Sequence, residues 1–152
     1  MNMSDEQILP AGRELVWKML NDPDVLRDCI PGCESLEATE PNVLTATVQL
    51  KVGPIKAKFS GVVEMADLDP PSSYSLSGEG KGGIAGFAKG RADVALLEHE
   101  EGTLMKYDVN VQIGGKLAQL GSRMIDSTSR KLSGQFFECF AAKVVAASAE
   151  VS

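Results

Sequence analysis

The sequence has few of the residue types on which metal sites, redox pairs and disulfide scaffolds depend. It contains one histidine and three cysteines among 152 residues. Cys29 and Cys33 are spaced C-x-x-x-C rather than as the C-x-x-C pair of a zinc or redox site, and Cys139 lies far along the chain. The histidine, His99, lies in the polar stretch EHEEG, which is typical of a turn. We therefore expect no metal and no other cofactor, and we interpret the cysteines as reduced structural thiols.

Long apolar runs and an excess of positive charge are also absent. No stretch approaches the roughly 20 apolar residues that cross a bilayer, and the start MNMSDEQILP lacks the basic and apolar regions of a signal peptide. The formal net charge is −6, which gives nucleic acids and anionic membranes no overall electrostatic attraction. We expect a cytoplasmic protein that binds no nucleic acid.

Length and composition indicate one globular domain spanning residues 1–152. Hydrophobic residues make up 43% of the chain and charged residues 24%, which is ordinary for a globular protein. A chain of this size buries roughly 68–70% of its unfolded surface, so its core needs no metal or cross-link.

The stretch GEGKGGIAGFAKG begins at Gly78 and contains the spacing G-x-G-x-x-G of a dinucleotide-binding loop. Such a loop requires a helix directly after the last glycine. A helix there would contain Gly86 and Gly90, each of which costs about 1 kcal/mol relative to alanine. From Gly86 onward the residues alternate as in a strand, so we interpret the motif as strand, turn and strand.

Hydrophobic periodicity predicts two short helices, a series of strands and one long helix. Residues 11–22 have helical spacing, and DPDVLRDCIPG reads as a second short helix. Strands are predicted in ESLEAT, NVLTATVQLKV, IKAKFSGVVEM, SYSLSGEG, GFAKGRADVALLE and TLMKYDVNVQI. After Gly115 the period becomes 3.6, which predicts a helix from Lys116 onward. The predicted class is α+β, with a curved antiparallel sheet of six to seven strands wrapped round the C-terminal helix.

The strand phases place apolar residues on one face of the sheet and charged residues on the other. Tyr107 is the only inward residue able to exchange a proton, and its ordinary pKa of about 10 makes it a poor base. General acid–base catalysis needs an ionisable group with a tuned pKa inside the cavity. The inward positions are Leu44, Ala46, Val48, Leu50, Ala57, Phe59, Gly61, Val63, Leu76, Ala92, Val94, Met105, Tyr107, Val109 and Val111.

Counting chain reversals places the glycine-rich turns at one end of the sheet. Turns at Gly53–Pro54, Gly80 to Ile84 and Gly114–Gly115 fall there, with the break at Pro31–Gly32 and the helix start at Lys116. Small residues on the inner face favour a hollow over dense packing. We expect its mouth at this end, near unpaired amide groups of the helix N-terminus.

Four stretches carry a resemblance to a known family. LVWKMLNDPDVLRDCIPGCESLE, VQLKVGPIKAKFSGVVE, GKGGIAGFAKGRADVAL and GGKLAQLGSRMID, followed by Phe136 and Phe137, cover nearly the whole chain in order. Together they resemble the carbon monoxide dehydrogenase G-subunit family of the polyketide cyclase, START and Bet v 1-like helix-grip superfamily. The resemblance implies a helix-grip fold with a hydrophobic cavity. It also implies association with molybdenum hydroxylases in maturation, membrane recruitment or quinone-linked electron delivery.

Longer members of that family carry a linker and an apolar C-terminal anchor, which this sequence lacks, so we expect no transmembrane anchor in this chain. We expect an accessory protein that binds an apolar or amphipathic small molecule, lipid- or quinone-like, and that is not itself an enzyme. The ligand's apolar body is expected to contact Phe59, Leu76, Tyr107, Leu120 and Met124, and its head to lie near Ile30, Pro54, Ile84 and Lys116. Two alternatives remain open: a cyclase, dehydratase or hydrolase using Tyr107, and a protein-interaction module with a filled core.

Overall fold

One curved antiparallel sheet forms the body of the computed structural model, which describes residues 1–151. Its strands are β1 (Asn2–Leu9), β2 (Cys33–Glu40), β3 (Val43–Val52), β4 (Ile55–Asp69), β5 (Ser73–Lys81), β6 (Phe87–His99) and β7 (Gly102–Gly114). Their order across the sheet is β1-β7-β6-β5-β4-β3-β2, and all neighbouring pairs are antiparallel. The predicted α+β class and the predicted sheet are therefore confirmed.

Within residues 1–151, three α-helices and two short 3-10 helices accompany the sheet. They are α1 (Arg13–Leu20), α2 (Pro23–Cys29), a first 3-10 helix (Gly83–Ala85), a second 3-10 helix (Gly115–Leu120) and α3 (Ser122–Val151). The two short N-terminal helices and the long C-terminal helix are confirmed. The predicted helix start at Lys116 is wrong, because Gly121 has a φ of 86° that breaks the helical path, and α3 begins after it. None of the described helices combines the length and hydropathy that crossing a membrane requires.

Strand β1 is the element that periodicity did not predict. It pairs with β7 from Asn2 opposite Asn110 to Leu9 opposite Thr103. Directly opposite residues share a face of the sheet, so Asp5 and Gln7 lie on the same face as Tyr107 and Met105. These two polar residues interrupt the apolar alternation that identifies the other strands.

The strand register confirms the predicted inward face. Leu44 lies opposite Val63, Ala46 opposite Gly61 and Val48 opposite Phe59 across β3 and β4. Leu76 of β5 lies opposite Ala92 of β6, so the same face continues across these two strands. Leu76 packs in a cluster that also contains residues of α1 and α3. The helices therefore cover the apolar, concave side of the sheet.

Contacts between the helices and this concave face form two separate clusters. The larger cluster joins α1 and the C-terminal half of α3 to the sheet, and its buried members are Leu9, Ala11, Val16, Met19, Leu20, Cys29, Tyr74, Val94, Leu96, Met105, Tyr107, Phe140 and Val144. The smaller cluster is built on Val52, Leu117 and Ile125, with Met1, Ile55, Phe59, Ile113 and Leu120 packed against them. Burial of apolar surface thus holds α3 to the sheet at two places.

Cys29 and Cys139 form a disulfide, which corrects the expectation of reduced thiols. It joins the last residue of α2 to α3, with Cα atoms 5.3 Å apart across a sequence separation of 110 residues. Cys33 is free and half-buried. The cysteine spacing gave no sign of this pair, because only the packing of α2 on α3 brings the two residues together.

Replacing Cys139 by serine is expected to destabilise the fold markedly. A cross-link that closes a loop of this length stabilises by about 4–5 kcal/mol in the chain-entropy model. Denaturant unfolding without reductant measures the loss, and Cys33→Ser is the matched control, for which we expect no comparable change. Reductant should lower the stability of the native sequence and leave Cys139→Ser unchanged; equal stability of the native protein with and without reductant would contradict the prediction.

Candidate functional site

A band of small apolar residues separates the two clusters on the concave face. Its members are half-buried and belong to neither cluster: Ala46, Val48, Ala57, Gly61, Val63, Gly78, Gly80, Ala88, Gly90, Ala92 and Val111. A Cβ atom placed on Gly80 would have no neighbouring heavy atom within 4 Å. The space beside Gly80 is therefore open, and the hydrophobic cavity expected from the sequence stays a prediction.

A groove of about 430 Å³ lies between α3 and the nearby edge of the sheet. It is lined by Pro31, Gly32, Gln49, Leu50, Lys51, Gly53, Thr128, Lys131, Leu132 and Gln135. An adjoining depression of about 500 Å³ shares Leu50 and extends to Cys33 and Lys56. Leu50 lies opposite Ala57, so the groove borders the band of small residues. Its volume falls in the range of small-molecule sites.

The groove exists because two neighbouring strands differ in length. β2 begins at Cys33 opposite Val48, whereas β3 continues to Val52. Beyond Val48 the edge of β3 is met only by the loop before β2, where the Gln49 amide donates a hydrogen bond to the Gly32 carbonyl at 2.9 Å. Gly32 has a φ of 74°, and a Cβ atom there would overlap the Gln49 carbonyl. Only glycine allows this close approach.

The groove walls combine apolar surface with hydrogen-bond donors. Leu50 and Leu132 supply apolar contacts, and the polar residues are Gln49, Lys51, Thr128, Lys131 and Gln135. No described carboxylate lies within 4 Å of the ammonium group of Lys51 or Lys131. Two uncompensated cations beside leucines suit an amphipathic molecule with an anionic or carbonyl-bearing head.

Tyr107 lies inside the larger cluster and stacks on Phe137 with ring centroids 5.4 Å apart. Burial raises the pKa of the Tyr107 phenol, a hydrogen bond with Gln7 opposes the shift, and the charge of Asp5 adds to it. Tyr107 is therefore protonated at neutral pH. Sequence reasoning did not place Gln7 beside Tyr107, because strand β1 was not predicted.

The structure brings six of the nine predicted site residues to the glycine-rich end. Phe59 and Leu120 pack in the smaller cluster, and Met124, 39% exposed, lies beside Gly53. Pro54, Ile84 and Lys116 are exposed on the turns and the second 3-10 helix of the same end.

The remaining three predicted residues lie elsewhere. Leu76 and Tyr107 belong to the larger cluster, across the band of small residues from Phe59. Ile30 directly precedes the loop that lines the groove. The nine residues therefore do not form one continuous patch, and their role in binding stays a prediction.

Sequence reasoning missed the helix side of the groove. Thr128, Lys131 and Gln135 recur at intervals of three and four residues, which places them on one face of α3. That spacing was visible in the sequence. The apolar residues of the same helix give the stronger periodic signal.

Comparison with known proteins identifies relatives over nearly the whole chain. A family model described as the G subunit of carbon monoxide dehydrogenase (CoxG) matches residues 6–145. A search of curated proteins found no match. The chain is similar to a conserved protein from Geobacillus kaustophilus, with 32% identity, a TM-score of 0.86, and coverage of 95% of this chain and 93% of that one.

Two more distant structures share the fold alone. A protein from Thermus thermophilus is 18% identical with a TM-score of 0.72, and the match covers 97% of this chain and 99% of that one. Ara h 8.0201, a Bet v 1-like protein, is 18% identical with a TM-score of 0.67 over 96% of this chain and 98% of that one.

Both tyrosines of the chain are expected to ionise at abnormally high pH. Burial raises the pKa of Tyr74 as it does that of Tyr107. Because an unfolded tyrosine ionises near pH 10, the unfolded state releases protons first, and stability falls as pH rises beyond about 10. Phenolate absorbance, titrated with and without denaturant, measures the shift. Two phenols that titrate near pH 10 in the folded protein would contradict it.

Proposed function

Because the chain belongs to the carbon monoxide dehydrogenase G-subunit family, we propose that it carries an apolar or amphipathic small molecule for a molybdenum hydroxylase. The ligand class is lipid- or quinone-like. In this role the protein is an accessory factor in maturation, recruitment or electron delivery, and the partner enzyme carries out the oxidation chemistry.

The open space beside Gly80 carries the proposal. The band between the two clusters consists of alanine, glycine and valine on a concave apolar face, and none of its residues belongs to either cluster. An apolar ligand placed there would remove this surface from water, which is favourable in proportion to the area covered. A filled core, as the interaction-module alternative requires, would leave no such space.

The ligand's head fits the groove at the end of β3. Ile30 and Pro54, two of the residues predicted to surround the head, directly flank the groove residues Pro31 and Gly53. Lys51 and Lys131 supply positive charge there. An amphipathic molecule would thus extend from this groove into the band of small residues.

A cyclase-like enzyme is the second candidate, because Asp5 lies directly opposite Tyr107 across β1 and β7. Against it, the raised pKa of Tyr107 makes the phenol a poor base, and its stacking on Phe137 is a packing role. Loss of turnover in Tyr107→Phe with unchanged ligand binding would favour the enzyme.

Gly80→Leu is expected to displace the ligand without unfolding the protein. The new side chain would enter open space, and leucine suits a strand better than glycine does. Ser77→Leu is the matched control, because Ser77 is exposed on the outer face of the same strand. Native mass spectrometry after incubation with lipid and quinone extracts should show a stoichiometric adduct on the native protein and on Ser77→Leu only.

An adduct retained by Gly80→Leu would show that the ligand binds outside the hollow. A native protein that takes up nothing from either extract would favour the interaction module.

Lys131→Gln is expected to weaken binding of an acidic-headed ligand selectively. A charge-assisted hydrogen bond is roughly twice as strong as a neutral one, so affinity for a long-chain fatty acid should fall several-fold. Affinity for the methyl ester of the same acid should change little, because the ester carries no charge. Calorimetric titration with both probes makes the comparison. Equal losses for acid and ester would contradict a charge-recognition role for Lys131.

A further inference from the structure

The disulfide is the strongest connection between α2 and α3. Beside it, the Lys143 ammonium contacts the Asp28 carboxylate at 3.1 Å, and both side chains are partly exposed. An exposed ion pair of this kind contributes little to stability, because water and salt screen it. Val25 and Cys29 add apolar contacts between α2 and the larger cluster. The attachment of α2 to α3 therefore depends mainly on the bond between Cys29 and Cys139.

The loop that follows α2 forms one wall of the groove. Helix α2 is seven residues long, which is too short for a helix to be stable on its own. Ile30, Pro31 and Gly32 link it to β2, and Pro31 and Gly32 line the groove together with residues of α3. The Gly32 carbonyl accepts a hydrogen bond from the Gln49 amide. This wall is therefore fixed to the sheet at one end and, through α2 and the disulfide, to α3 at the other.

The sheet and α3 are held together by contacts that do not include the disulfide. The larger cluster joins α1 and the C-terminal half of α3 to the sheet, and Ile125 holds the start of α3 in the smaller cluster. Loss of the cross-link lowers the stability of the whole fold, but it removes a direct connection only between α2 and α3. We therefore expect α2, and not the sheet, to move when the bond is broken.

We propose that the bond between Cys29 and Cys139 is a redox switch that controls the width of the groove. In the oxidised protein the loop of residues 30–32 stays close to α3. After reduction, α2 and this loop move away from α3, and the groove opens along that wall. Reoxidation closes the groove again. The proposal goes beyond ligand carriage, because the movement needs no bound ligand.

The reductant is a dithiol, either a small molecule or a protein with a C-x-x-C pair. Cys29 is buried and Cys139 is half-buried, so a thiolate of the dithiol attacks the Sγ atom of Cys139. A mixed disulfide forms, and Cys29 leaves as a thiolate that takes up a proton. The second thiol of the reductant then attacks the reductant's own sulfur in the mixed disulfide and releases Cys139, which is also protonated. Two electrons and two protons thus pass from the dithiol, which becomes a disulfide, to the protein.

Hydrogen exchange followed by mass spectrometry tests the switch. The Cys33→Ser variant serves as the parent, because no third thiol can then exchange with the disulfide. We expect dithiothreitol to make the amides of residues 23–33 exchange roughly tenfold faster or more, as in a local opening. The amides of the paired strands β6 and β7 should stay protected over the same period. Removal of dithiothreitol and reoxidation should restore the original rates.

Two further variants of this parent separate the bond from the contacts beside it. Lys143→Gln removes the ion pair with Asp28 and keeps the disulfide, so its oxidised form should exchange like the parent. Cys139→Ser lacks the disulfide and should exchange fast with and without dithiothreitol. Thiol alkylation and mass measurement count the free cysteines of the parent, and circular dichroism follows its fold.

Three outcomes would overturn the proposal. One is a bond that excess dithiothreitol leaves intact in the folded protein. Another is unchanged exchange of residues 23–33 after reduction. The third is unfolding on reduction, or equal loss of protection in β6 and β7, which would make the bond a structural cross-link of the whole fold. No lipid or quinone is used, so each of these outcomes would leave the proposed carrier function untouched.

Discussion

The attachment of α3 to the sheet at two places, with small residues between them, is the constraint on which the site depends. Large side chains in the two clusters make these attachments. The inward residues between them are glycine, alanine and valine, and the space beside Gly80 is open. The cavity that we propose would follow from where large and small residues occur along the same strands, since every inward position lies on one face.

The sequence predicted the parts of the fold that rest on local rules. Alternation from Leu44 to Val111 assigned the inner face because the strand period is two, and glycine and proline marked the reversals. Strand β1 was not predicted, because Asp5 and Gln7 are polar and lie on the inward face of the sheet. The disulfide and the groove depend on distant segments meeting, and no local pattern encodes that meeting. The groove's helix wall was the exception, visible as spaced polar residues from Thr128 to Gln135.

The net charge can be counted from the sequence, but the position of the charges on the surface depends on the fold. The net charge summed over the chain predicts no overall attraction to nucleic acids or anionic membranes. The hairpin order separates the charges, because alternate turns fall at opposite ends and the acidic turns alternate with the basic ones. Lys51 lies directly opposite Lys56, an arrangement of like charges that costs stability.

The bond between Cys29 and Cys139 also constrains the groove. Ile30, Pro31 and Gly32 follow directly from Cys29 on one wall, while Gln135 lies one helical turn before Cys139 on the other. With these walls covalently joined, α2 and α3 cannot separate to widen the passage. While the bond is intact, any widening of the groove would therefore have to come from the β3–β4 hairpin, which lines its other side.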